Sequence, residues 1–175
     1  EEPRRLTTAW GEEVARAAQV ALEAGDAAAA VKSFVPREEH PQPQFARPDS
    51  CWQSLNGWWE CAFVPAKYDP LADATAVCSL AKMPDGSAFS TPILVPFSPE
   101  APLSGVERQL LPNELLWYRR TFVLPAFDAA AGERLLLHFE GVDDSCAVFV
   151  DGVFAGCHQG AYTPFTLDLV PALAE

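Results

Sequence analysis

Basic charge is scarce in this sequence, and so are the marks of several large protein classes. Twelve Lys and Arg stand against 24 Asp and Glu, a formal charge of -12. Such a chain repels a phosphate backbone, which argues against nucleic acid as a partner. No apolar run approaches the ~18 residues that a membrane-spanning helix needs. The stretch that reads as a surface helix has an acidic polar face, the wrong sign for a membrane surface, so no membrane partner is expected. Histidine occurs only three times, at scattered positions, and no hydrolytic triad is visible. No C-x-x-C pair occurs, and Cys157-His158 has no second ligand pair nearby in sequence. Neither a metal nor any other cofactor is therefore expected. The chain starts at Glu1, without Met and without a basic-then-apolar leader. Its 175 residues are also too few for a (β/α)₈ barrel, which takes about 250.

What is present reads as an ordinary folded chain. Hydrophobic residues make up 49% and charged residues 21%, which excludes wholesale disorder. The length suits one domain, or two at most. A fold of this size buries roughly 70% of its unfolded surface, enough for a core without metal or disulfide support. The five cysteines, Cys51, Cys61, Cys78, Cys146 and Cys157, are odd in number and show no framework spacing. The expectation is free thiols, and with them a reducing, cytoplasmic setting.

Two zones of composition follow one another. Residues 1–48 are rich in Ala, Glu and Pro. Val14, Ala17, Ala18, Ala21 and Leu22 recur at helical spacing, which predicts helix over about 12–34 with a break at Gly25-Asp26. Its apolar stripe is thin and suits a helix lying on another body. The prolines between 36 and 48 hold the backbone extended, so this stretch reads as a tether. From residue 49 onward short strands dominate. Candidates are 58–64, 93–95, 115–124, 134–139, 146–150, 153–157 and 165–169. Asp151-Gly152 supplies the positive φ angles of a tight hairpin turn. Loops between strands are long, above all 96–113, and a loop of that length is usually functional or pinned by a partner. No βαβ alternation is visible, so the expectation is an all-β antiparallel sandwich.

Six motifs then give the reading a family. They are Leu55-Asn56-Gly57-Trp58-Trp59, Val95-Pro96-Phe97-Ser98-Pro99-Glu100 with Leu103-Ser104-Gly105, and Leu116-Trp117-Tyr118-Arg119-Arg120-Thr121-Phe122. Next come Leu137-His138-Phe139-Glu140-Gly141-Val142-Asp143, Val148-Phe149-Val150-Asp151-Gly152, and His158 through Phe165. In this order they resemble the N-terminal sugar-binding domain of family 2 glycoside hydrolases, from about Pro41 to the end. The resemblance implies a jelly-roll β-sandwich of galactose-binding type over 49–175, behind the helical and Pro-rich extension. It implies a parent β-glycosidase acting on O-glycosyl bonds through two glutamates on a separate barrel. Such retaining chemistry needs carboxylates about 5–5.5 Å apart. The chain stops before that barrel, and the family's sandwich runs on past Leu167-Asp168-Leu169. On this reading the domain is inactive alone. It buttresses the barrel of the same parent chain, walls the cleft for a β-glycoside and helps dimerisation. A stand-alone carbohydrate-binding module is the alternative, and a purely structural interaction domain is a third.

Candidate residues follow from chemistry. His158, Gln159 and Tyr162 offer hydrogen bonds, and Tyr162 offers a ring face for a sugar. In the galactosidase branch an Asp of this loop reaches the sugar, but Gly160 stands after Gln159 here, and Tyr162-Thr163-Pro164-Phe165 is closer to the glucuronidase branch. Asp143, beside Asp144, suits a turn, a sugar hydroxyl or calcium. Arg119 and Arg120 point to opposite faces of one strand, and a buried one needs a carboxylate, with Asp143, Asp168 and Glu60 as candidates. Asn113-Glu114 looks like the acid/base pair of the barrel but reads as a solvated loop in the wrong domain. Trp52, Trp58, Trp59 and Trp117 are assigned to the core.

Overall fold

A computed structural model describes residues 52–67, 74–79 and 83–174 of the chain. The expected helix at 12–34 and the tether at 36–48 lie outside the described residues. The described part is almost all β, with antiparallel sheets and little helix, as the sugar-binding sandwich class requires. It groups into two compact units, one holding 52–63, 87–111 and 116–125, the other most of the remainder.

The first unit is built on a three-stranded sheet. Strand β1 spans Gly57–Pro65, β2 Thr91–Val95 and β3 Glu114–Arg119, in the order β2-β1-β3. β1 and β2 run antiparallel, with Trp58 opposite Leu94 and Trp59 opposite Ile93. Pro92 cannot donate to a ladder, and β2 lies at an edge where no donor is missed. Ile93, Leu94 and Cys61 have no exposed surface and form the heart of this unit with Ala62 and Phe89. The third strand is shorter than its apolar alternation predicts, ending at Arg119 instead of running to 124. Beyond it Val123 is 84% exposed, so that half of the pattern finds nothing to cover it.

The long loop after β2 is ordered by its own hydrogen bonds. Ser104, fully buried, donates from Oγ to the Pro99 carbonyl at 3.2 Å and accepts from the Val106 amide at 3.0 Å. Gly105 closes the short turn Pro102–Ser104 at φ 79, and a Cβ there would touch the Trp58 ring. The Arg108 guanidinium lies over the Phe63 ring, 3.8 Å from its centroid.

The second unit holds two antiparallel pairs. β4 (Leu136–Phe139) pairs with β7 (Phe165–Asp168), and β5 (Ser145–Val150) pairs with β6 (Val153–Gln159). Asp151 and Gly152 make the β5–β6 turn at φ 49 and 91, as the Asp-Gly dipeptide predicts. After β7 a one-turn helix, α1 (Val170–Leu173), buries Ala172, and Leu169 before it is 2% exposed. The Ala129–Ala131 turn is capped by Asp128, whose Oδ1 accepts from the amides of Ala130 and Ala131.

Cysteine behaves differently from expectation. Cys78 and Cys157 form a disulfide with Cα atoms 5.5 Å apart, while Cys61 and Cys146 are free. The free-thiol expectation thus fails for two of the described cysteines. The pair is brought together because the turn Ala74–Ser79 packs on β5 and β6, a proximity that a sequence separation of 79 does not announce.

Candidate functional site

The loop regarded as the best functional candidate is the return from β6 to β7, and β6 decides where its side chains go. Successive residues of a strand face opposite ways. His158, across from Cys146, therefore takes one face, and Cys157 and Gln159 take the other. The His158 face is the inner one. Its ring stacks on Phe165 at 4.2 Å between centroids, and Phe165 stacks on Phe139 at 4.6 Å. Gly156, on the same face, has the Leu167 side chain 2.8 Å from where a Cβ would stand. The Nε2 atom of His158 is buried and lacks a hydrogen-bond partner among the described residues. His158 is thus the end of a three-ring stack on the inner face of this unit. The same face holds the Cys146 thiol, pushed up in pKa by burial and partly drawn back by a hydrogen bond from the His158 backbone.

Past Gln159 the chain turns tightly. The Thr163 amide donates to the Gly160 carbonyl at 3.4 Å, and the Gly160 amide donates to the Asp144 carbonyl at 2.7 Å. The second bond ties the loop 160–164 to the loop 140–144. The two run so close that a Cβ on Gly141 would stand 2.8 Å from the Ala161 carbonyl oxygen. Tyr162 stands at the tip, 97% exposed, the most exposed large hydrophobic side chain described. Asp143 and Gln159 are exposed on the adjoining loop and on the outer face of β6. The structure therefore brings the Asp143, Gln159 and Tyr162 segments to one end of this unit and turns His158 inward beneath them.

This end presents an aromatic ring, a carboxylate and a carboxamide, the groups that stack on a sugar face and bond its hydroxyls. Beneath, His138 Nδ1 and Thr166 Oγ1 share a hydrogen bond of 2.7 Å across β4 and β7.

The arginines settle into different partnerships. Arg119 donates from Nε to Glu60 at 2.8 Å, one of the three carboxylates considered, and its guanidinium lies 4.4 Å from the Phe89 ring centroid. Arg120 meets no carboxylate among the described residues. Its Nη1 donates to the carbonyls of Leu55 at 2.6 Å and Asn56 at 3.0 Å, and burial lowers its pKa. Two carbonyls in the segment before β1 replace the expected carboxylate. Asp168 pairs with Arg134, a residue that the sequence reading did not single out, and accepts from the Val170 amide at the start of α1. Glu114 is the first residue of β3 and not part of a solvated loop. Of the tryptophans, Trp59 is anchored by a bond from Nε1 to the Leu55 carbonyl and an edge contact with Tyr118, whereas Trp52 is 38% exposed.

Comparison with known proteins adds lineage to this geometry. Residues 42–175 match the model of the glycosyl hydrolases family 2 sugar binding domain. A β-galactosidase of Thermoanaerobacter pseudethanolicus is 42% identical over 53 residues, which is 30% of this chain and 7% of that protein. A β-galactosidase of Bacteroides ovatus is 39% identical over 77 residues, 44% of this chain and 9% of that protein. A β-glucuronidase of Formosa agariphila is 38% identical over 58 residues, 33% of this chain and 6% of that protein. The matched stretches therefore span less than a tenth of the length of each of these relatives.

Proposed function

The chain belongs to the glycosyl hydrolases family 2 sugar-binding domains, and from that premise we propose that it is the non-catalytic sugar-binding part of a β-glycosidase. In this role it buttresses a catalytic barrel and walls the substrate cleft with the loops 140–144 and 159–164. The observation that carries the proposal is Tyr162. A large ring 97% exposed, on a turn fastened at Gly160, serves no packing purpose in its own unit. It suits a pyranose face, with Asp143 and Gln159 beside it for hydroxyl groups. The relatives named as β-galactosidases and a β-glucuronidase support a β-glycoside as the ligand.

The test uses the purified chain with aryl β-galactosides and aryl β-glucuronides. The proposal expects no release of the aryl group and a saturable change in calorimetric heat at millimolar sugar. Tyr162→Ala should abolish that change while altering stability by less than ~0.5 kcal/mol, as befits an exposed side chain. Turnover by the chain, or an undiminished response in Tyr162→Ala, contradicts the proposal.

A further inference from the structure

The outer face of β6 carries a bond that sugar binding does not use. Cys157 is exposed there, and its partner Cys78 is half-buried in the turn Ala74–Ser79. The turn packs against both β5 and β6. Val77 of the turn is buried, and the disulfide joins the turn covalently to β6. Exposed disulfides are the readily reduced ones, because a thiolate can reach a sulfur. The free thiols described are badly placed to interfere. Cys146 lies on the opposite face of the hairpin, across from His158, and Cys61 has no exposed surface.

We propose that the Cys78–Cys157 disulfide is a reducible fastening for the Ala74–Ser79 turn, opened in the folded protein by a dithiol. One thiolate of the dithiol attacks Sγ of Cys157, the exposed residue of the pair, and Cys78 leaves as thiolate and takes a proton. The second thiolate of the dithiol then attacks its own sulfur in the mixed disulfide and releases Cys157. Two electrons and two protons pass to the protein, and the dithiol becomes a disulfide. The released turn uncovers the face of β6 that also carries Gln159, while the ring stack on the inner face stays closed. The inference stands on the geometry of the bridge and does not depend on sugar binding.

The experiment treats the whole chain with dithiothreitol in native buffer, labels thiols with a maleimide, and maps labels and limited-proteolysis cuts by mass spectrometry. Cys78 and Cys157 should be labelled together, only after dithiothreitol, with Cys61 unlabelled. Cleavage within 74–79 should rise by about tenfold or more while the strands stay resistant, since cleavage follows the open population. Labelling of Cys78 or Cys157 without reductant overturns the proposal, as does a bridge that yields only in denaturant. Labelling with an unchanged cleavage pattern also overturns it, because the turn would then be held without the bridge. Cleavage throughout the chain overturns it too, because the bridge would then support the fold as a whole. No variant is needed, so a folding defect cannot obscure the outcome.

Discussion

Replacing Gly141 by alanine tests whether the two loops of the candidate site are built against each other. Gly141 is not among the residues with positive φ, so alanine meets no backbone penalty there. In open space the substitution would stabilise the protein by ~0.4–1 kcal/mol, through a less flexible unfolded chain. The space is not open. The new Cβ would stand 2.8 Å from the Ala161 carbonyl oxygen, a backbone atom that cannot rotate aside. One loop must move, and overpacking of this kind costs about 1–3 kcal/mol. The movement also lengthens the Gly160–Asp144 bond, now 2.7 Å, and weakening it costs about 1 kcal/mol more. Less the gain through the unfolded chain, the expected loss is about 1–3.5 kcal/mol. Gly132→Ala is the comparison. It meets nothing within 4 Å but sits at φ 85, so its cost is about 1–2 kcal/mol from the backbone alone. Urea unfolding of both variants, followed by far-ultraviolet circular dichroism, gives the two numbers. A Gly141→Ala protein as stable as the parent, or more so, refutes the apposition of the loops.

Two further outcomes follow from the first unit. Arg120→Ala leaves the Leu55 and Asn56 carbonyls without their charged donor and should cost about 2 kcal/mol. Arg119→Ala breaks a partly exposed pair and should cost less than about 1 kcal/mol; urea unfolding with the order reversed would count against both assignments. Alkaline pH should also weaken this unit. Burial pushes the Cys61 thiol up from its ordinary 9.0, against the pull of Arg108. Burial, with the charges of Cys61 and Glu100, pushes the Tyr118 hydroxyl up from 10.0 to about 12. Both groups ionise earlier when unfolded, so their contribution is full below pH 9.0 and is lost as pH rises toward 12. Thermal midpoints should fall across that window, less steeply in Tyr118→Phe, and a flat profile would contradict these shifts.

The order of strands was readable because aromatic and β-branched runs alternate with Pro, Gly and Asn-Asp punctuation. The Asp151-Gly152 turn was readable because its backbone angles demand those residues. The end of β3 was not, because alternation from Tyr118 to Leu124 says nothing about whether a cover exists for Val123. His158 and Gln159 were sugar candidates on a loop expected to begin after Cys157, but the strand runs on to Gln159, and neighbours in a strand take opposite faces. Which of the two turns inward depended on Phe165 and Phe139, distant in sequence and joined only by the β4–β7 register. The partners of Arg120 were hidden for another reason, since backbone carbonyls have no signature in the sequence. The disulfide was masked by an odd cysteine count and by its separation of 79 positions.

The central claim is that the sugar meets the end of the second unit formed by the loops 140–144 and 159–164. An amide-resolved NMR titration of the chain with an aryl β-galactoside and an aryl β-glucuronide addresses it directly. The expected result is saturable shifts at Asp143, Gln159 and Tyr162 and their neighbours, little change at Cys61 or Leu94, and no product signals. Shifts centred elsewhere, no shifts with either sugar at tens of millimolar, or the appearance of free sugar would contradict it.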